Sequence, residues 1–244
     1  MWVFLALGAA VLTSFNPILY KRMLKDADAV VVVWGVILLA LPLLGLFAVA
    51  LTPQLPRLDW LFAFGVLGSA GLNVAAHLAS TKALKLADAS LVTPLLIFSP
   101  VFTVLISAIV LSEAPSVRGV LGVGLVLIGG YWLNRSSGAD WLAPFKSLAL
   151  KPGVALVLLA GLLWAITPMF EKVAIQHTTP ESPRFAAFAA TAPLTFLLTP
   201  AALARGRSAI GKLSLHRREL LCAGLIAGIA PVLAYTAYSL GLVG

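Results

Sequence analysis

The chain has 244 residues, of which 61% are hydrophobic and only 11% carry a charge. A water-soluble globular protein of this length needs far more charge on its surface, so the composition excludes that class and indicates an integral membrane protein. The 17 Lys and Arg residues outnumber the 9 Asp and Glu residues, but they cluster in short loops, where lipid headgroups account for them without nucleic acid as a partner.

Apolar stretches of about 20 residues, the length that crosses a hydrocarbon core about 30 Å thick, recur along the chain. Backbone polar groups in lipid must be satisfied within their own segment, and no stretch alternates like a barrel strand, so all are predicted to be helices. The fold class is therefore predicted to be all-α, a polytopic membrane helical bundle. The eight predicted spans cover residues 2–20, 29–51, 60–81, 89–112, 116–134, 153–172, 184–204 and 219–243.

Short motifs recur at a nearly constant distance, which indicates an internal duplication. Residues 16–21 (NPILYK) match residues 167–172 (TPMFEK) at a separation of 151, and residues 83–87 match residues 239–243 at a separation of 156. If each copy holds five spans, an odd number, the second copy must be inverted relative to the first. Inverted-repeat transporters bind their substrate near the bilayer midplane, between the two copies.

The duplication predicts three parts: a first repeat of five helices over residues 1–134, an interfacial linker over 135–152, and a second repeat over 153–244 with three helices. The linker includes a short amphipathic piece that is predicted to lie at the membrane surface. The second repeat ends opposite Asp88, before the equivalents of the last two helices of the first repeat. The parent gene is therefore expected to continue by about 45 to 60 residues, the length of two further spans.

Three segments carry a family resemblance: residues 83–103, the triplet Leu111-Ser-Glu113 with the glycine-rich run 119–130, and Trp164-Ala165 with Lys172 eight residues later. Together they resemble a repeat of the EamA type in the drug/metabolite transporter superfamily. Thr13 departs from the pattern, which has a tryptophan at that position. The resemblance implies ten spans, two inverted repeats and transport of small metabolites, and it names no substrate.

Polar side chains inside the apolar spans are the candidate substrate-binding residues. Asn73 and His77 are spaced i,i+4 on the third span, and Thr81 continues the same face. Polar groups at membrane depth usually face a bundle interior or a watery cavity, so these residues are predicted to contact solute or accept a proton. The alternative is an interhelical hydrogen bond that only holds the bundle together.

The remaining candidates lie on the first span of each repeat and on the eighth span. Glu171 takes the place of Tyr20 in the other copy and is predicted to serve a cation or proton, unless it is solvated at the interface. Tyr235 and Tyr238 lie on a helix that the repeat alignment sets opposite Asn73 and His77. The full predicted substrate-binding set is Asn16, Tyr20, Asn73, His77, Thr81, Glu171, Tyr235 and Tyr238.

The chain shows no paired glutamates, no His-x-x-x-His and no Gly-x-Ser-x-Gly, so no enzyme activity, metal or cofactor is predicted. The predicted function is transport of small organic metabolites or drugs, with alternating access between the inverted repeats and efflux across the bacterial inner (plasma) membrane. The predicted partners are the lipid bilayer and a small-molecule solute, with a homodimer left open. The alternative is a membrane receptor or assembly protein that transports nothing.

Two arguments disagree about the orientation in the membrane. Thirteen of the 17 Lys and Arg residues lie in loops that follow odd-numbered spans, and the positive-inside rule then places Met1 outside the cytoplasm. Members of the family that the chain resembles are usually drawn with a cytoplasmic N-terminus. The charge count is preferred, because the bias is present in both halves of the chain.

Overall fold

The computed structural model describes residues 1–52, 54–86, 99–110, 117–134 and 152–241. Nearly all of these residues are helical, which confirms the predicted all-α class. Two strands of two residues each, β1 (Arg57–Leu58) and β2 (Thr178–Thr179), form an antiparallel pair with Arg57 opposite Thr179. The helices are α1 (Trp2–Thr13), α2 (Asn16–Met23), α3 (Ala29–Ala50), α4 (Trp60–Leu86), α5 (Ser99–Val110), α6 (Val117–Asn134), α7 (Pro152–Gln176), α8 (Pro183–Leu203), α9 (Gly206–Leu213) and α10 (Arg217–Gly241).

Six helical segments within the described residues are long and apolar enough to cross a membrane, and they correspond to six of the eight predicted spans. The fifth predicted span corresponds to α6, whose apolar part, Gly119–Gly129, is shorter. The fourth, 89–112, is described only where α5 covers it, and the amphipathic piece of the linker lies outside the described residues. The six segments are Trp2–Met23, Ala29–Ala50, Trp60–Leu86, Gly153–Gln176, Pro183–Leu203 and Gly206–Leu240.

The first span consists of two helices, α1 and α2, where the sequence predicted one continuous segment. Pro17 lies in the first turn of α2, where a missing N–H costs little, whereas within a continuous helix its ring would clash with a preceding carbonyl. Just before the break, Thr13 Oγ1 donates to Ala9 O at 2.9 Å and Ser14 Oγ donates to Val11 O at 2.7 Å. Both hydroxyls thus bind carbonyls near the end of α1.

The chain forms two compact units, residues 1–74 with 167–244 and residues 75–166. In the first unit, α10 packs against α1, α2, α3 and α8. The apolar core of this unit is made of buried residues from α3, α4, α7, α8 and α10, and it includes the ring of Tyr235. This packing of helices that are distant in sequence brings the polar residues of α4, α7 and α10 together.

Polar contacts join the loops at each end of this first unit. At one end, the loops after the first and seventh spans meet: Asp26 contacts His216 at 2.8 Å and Asp28 contacts Arg205 at 3.0 Å. At the other end, the loops after the second and sixth spans meet through the β1–β2 pair and a 2.7 Å contact between Asp59 and His177. Loops after odd spans and loops after even spans therefore lie at opposite ends of the unit.

Asp59 caps the start of α4 and binds a histidine at the same time. Its Oδ1 accepts the N–H of Phe62 at 2.9 Å, while Oδ2 lies 2.7 Å from His177 Nδ1. The Phe62 N–H and the His177 ring hold the pKa of Asp59 below its usual value. A carboxyl whose pKa is lower in the folded state stabilises the fold above its unfolded pKa, and that contribution disappears as the pH falls through the folded-state pKa.

We therefore expect Asp59→Asn to lower the thermal unfolding midpoint of the detergent-purified protein at pH 7, by a small amount because the carboxylate is at the surface. The difference from the parent protein should begin to shrink as the pH falls below about 4, where the unfolded carboxyl becomes protonated, and should disappear once the folded carboxyl is protonated too. Glu181→Gln, at an exposed loop position, serves as the control and should leave the midpoint unchanged. An Asp59→Asn difference that stays constant from pH 7 to pH 3 would contradict this account.

The grouping of the loops also allows the orientation to be measured. We expect the end that carries Arg205, rich in Lys and Arg, to face the cytoplasm. In a Cys222→Ser background, a membrane-impermeant maleimide applied to intact cells should label Glu181→Cys, in the opposite loop, and should label Ser208→Cys on α9 only after permeabilisation. Both positions are exposed. The reverse labelling pattern would show that the N-terminus is cytoplasmic.

Candidate functional site

A polar cluster surrounds Glu171, near the end of α7. The Glu171 side chain is buried, with 9% of the residue exposed. Ser69 Oγ donates to Glu171 Oε1 at 3.4 Å, and Asn73 Nδ2 donates to Ser69 Oγ at 3.2 Å. The side chains of Asn73 and Tyr235 also lie near the carboxyl group. Side chains from α4, α7 and α10 therefore converge on one carboxyl group.

Two tyrosines of α10 complete the cluster. The ring centroids of Tyr235 and Tyr238 are 6.1 Å apart, and both side chains lie near Glu171. Tyr235 is buried within the apolar core, whereas Tyr238 is 38% exposed. Asn73 is half-buried. The cluster thus has an inner part of Ser69, Glu171 and Tyr235 and an outer part of Asn73 and Tyr238.

Small residues of α4 bring the cluster together. A Cβ at Gly65 would lie 2.7 Å from both the backbone N of Ala174 and the backbone O of Phe170, so α4 and α7 touch backbone to backbone. The Phe170 ring lies directly against Gly68. Ser69 follows Gly65 by four residues and Asn73 follows by eight, so all three lie on the face that meets α7. The close approach allows a side chain as short as serine to reach Glu171.

The partners of the Glu171 carboxylate that the structure describes are neutral. Within the described part of the chain, no Lys, Arg or His nitrogen lies within 4.0 Å of it. The next residue, Lys172, is on a different face of α7, because adjacent helical residues do not face each other. A buried carboxyl without a basic partner is costly at membrane depth, and such groups usually mark substrate or ion pathways.

The other predicted site residues lie elsewhere. In the second unit, the ring of His77 contacts Trp164 edge-on, with 5.4 Å between centroids, and Thr81 is buried. In the first unit, Asn16 Oδ1 is buried without a hydrogen-bond partner among the described residues, and Tyr20 is buried on the same helix. None of the cluster contacts described above includes Asn16 or Tyr20. The structure therefore brings together Asn73, Glu171, Tyr235 and Tyr238 out of the predicted set.

Ser69 is the member of the cluster that the sequence did not single out. A serine in an apolar helix is common and carries no charge, so a single serine does not indicate a functional site. The spacing Gly65-x-x-x-Ser69 is nevertheless a small-residue pattern of the kind that lets membrane helices approach closely. Among the described residues, no group of three or more His, Cys, Asp or Glu side chains is arranged to hold a metal ion.

The sequence model of the EamA-like transporter family matches residues 1–135, more than half of the chain. No curated protein matches the chain. The chain belongs to the EamA-like transporter family, and it is an integral membrane protein and a membrane transporter.

Proposed function

We propose that this member of the EamA-like transporter family carries small organic solutes across a membrane by alternating access between its two repeats. The solute would contact the Glu171 cluster, defined as Ser69, Asn73, Glu171, Tyr235 and Tyr238. The observation that carries the proposal is the buried Glu171 carboxyl, which lies in a membrane-spanning helix with only neutral partners among the described residues. Stability alone does not favour such a group, because a well-packed apolar side chain at that position costs less.

The direction of the helices supports alternating access. The first span, α1 with α2, ends beside Asp26, at the end of the unit where the loops after the first and seventh spans meet. Helix α7 ends beside His177, at the other end of the unit. The two helices that begin the predicted repeats thus run in opposite directions. Inverted repeats of this kind allow one half of a transporter to rock against the other around a central site.

The exposure of the outer residues supports a route for the solute. Asn73 is half-buried and Tyr238 is 38% exposed, while Ser69 and Glu171 lie behind them. A solute that reaches Asn73 and Tyr238 needs only a small further displacement to reach the carboxyl group. The direction proposed for the transport is efflux, and the proposed location is the bacterial inner membrane.

The proposed function is tested by metabolite profiling of cells that express the protein and its variants. Expression should deplete one class of small organic solute from the cells and enrich it in the medium. Asn73→Ala, which removes a side chain of the cluster, should reduce that flux several-fold at unchanged expression. The same loss in His77→Ala would support the separate prediction from the sequence that His77 also contacts the solute. Thr236→Val is the control, because the Thr236 hydroxyl on α10 donates within its own helix, to Val232 O at 2.7 Å, and this variant should retain the parent flux.

Two outcomes would contradict the proposal. If the Asn73→Ala and His77→Ala variants both transport at the parent rate, the predicted polar stripe of the third span does not contact solute. If expression changes no solute relative to an empty vector, and purified protein in liposomes also moves none, the chain fits the alternative of a membrane receptor or assembly protein.

A further inference from the structure

We infer that the transported solute carries a positively charged nitrogen, an ammonium or alkylammonium group, which binds between the Glu171 carboxylate and the rings of Tyr235 and Tyr238. This inference rests on the proposed function, because it names the class of solute for the same cluster. It follows from three features of the cluster: the charge of its centre, the hydrogen-bonding capacity left on the carboxylate, and the two aromatic side chains beside it.

Among the residues that the structure describes, no basic side chain compensates the charge of an ionised Glu171. Glu171 is the one acidic residue of the cluster, and its neighbours are a serine, an asparagine and two tyrosines. An anionic solute would be repelled by the ionised carboxylate, and a neutral solute would gain no attraction from its charge. A cation offsets that charge directly, and the attraction between opposite charges is strong where water is excluded.

The carboxylate has room for a further donor. A carboxylate offers about four lone-pair positions, and the Ser69 hydroxyl lies 3.4 Å from Oε1, at the long limit for an O–H···O hydrogen bond. The Ser69 bond is therefore weak. An ammonium group that donates to the same carboxylate would form the shorter and stronger charge-assisted bond.

The two tyrosine rings favour a positively charged group over a neutral hydrogen-bond donor. The centroids of the Tyr235 and Tyr238 rings are 6.1 Å apart, and both side chains lie near Glu171. Aromatic rings within about 6 Å attract cations through their quadrupole, and cages of aromatic side chains recognise quaternary ammonium groups. Tyr238, 38% exposed, is the ring that an entering solute meets first.

The test uses four probes that share a phenethyl skeleton and differ in their head group: phenethylamine, phenethyltrimethylammonium, phenethyl alcohol and 3-phenylpropanoate. Binding to the purified protein in nanodiscs is measured by titration calorimetry at pH 7. Both cations should bind at least about tenfold more tightly than the alcohol. Glu171→Gln should remove that preference, whereas Glu181→Gln, at an exposed loop position, should retain it.

Tyrosine variants separate the aromatic contribution from the carboxylate. Tyr238→Phe keeps the ring and should preserve the preference for phenethyltrimethylammonium, which cannot donate a hydrogen bond. Tyr238→Leu removes the ring and should weaken that preference by about threefold to tenfold. Equal losses in the two variants would show that the ring face makes no contribution.

The inference is overturned if the alcohol or the carboxylate binds as tightly as the cations, if none of the four probes binds, or if Glu171→Gln keeps the preference for cations. Flux measurements distinguish a failure of this inference from a failure of the proposed function. A neutral or anionic solute whose transport depends on Glu171 would leave the proposed function standing and defeat the inference. If no solute flux depends on Glu171, the proposed function fails as well.

Discussion

Glu171→Gln is expected to reduce transport by roughly 30- to 150-fold while the protein remains folded. Glutamine has the same shape as glutamate and can still accept a hydrogen bond from Ser69, so the packing of α4 on α7 is retained. The substitution removes the negative charge, which we propose as the main attraction for the solute. A charge-assisted interaction contributes about 2–3 kcal/mol, which corresponds to this loss of flux.

The measurement is flux into or out of proteoliposomes, with a solute identified by metabolite profiling, together with the thermal unfolding midpoint of each variant. Ser69→Ala should give an intermediate loss, because it removes one neutral donor to the carboxylate and leaves the charge. Glu181→Gln should transport at the parent rate. Parent flux in Glu171→Gln, at equal amounts of folded protein, would exclude Glu171 from the solute site.

Much of the fold could be predicted from the sequence because the bilayer restricts what a chain can do. A span must be helical and about 20 residues long, so runs of apolar residues identify α3, α4, α7 and α8 with errors of only a few residues at most ends. Pro17 is the sequence feature that indicates the break in the first span. The pairing of β1 with β2 had no sequence signal, because strands of two residues show no periodicity.

Part of the candidate site could also be predicted from the sequence, because polar residues are rare in apolar spans. Glu171 stood out because the repeat placed it opposite Tyr20, and because acidic residues are rare in apolar spans. The repeat alignment set the helix of Tyr235 and Tyr238 opposite the helix of Asn73 and His77. The sequence could not show that Asn73 turns to Ser69 while His77 turns to Trp164, because helical spacing does not fix which neighbouring helix each side chain meets.

Gly65 should be the residue of α4 that least tolerates a side chain. A Cβ at this position would lie 2.7 Å from two backbone atoms of α7, and backbone atoms within a packed helix cannot move aside as the end of a flexible side chain can. We therefore expect Gly65→Ala to destabilise the protein by about 1–3 kcal/mol, the usual cost of overpacking. Gly65→Val should cost more and prevent accumulation of folded protein.

Gly71 of the same helix is the matched control, because nothing described lies within 4 Å of the Cβ that Gly71→Ala would add. Alanine favours a helix over glycine by about 1 kcal/mol, so Gly71→Ala should leave the unfolding midpoint unchanged or raise it. Even when folded, Gly65→Ala should reduce flux, because separating α4 from α7 lengthens the contact between Ser69 and Glu171, already at 3.4 Å. Equal midpoints and equal fluxes for the two variants would show that close contact of these helices is not what positions the cluster.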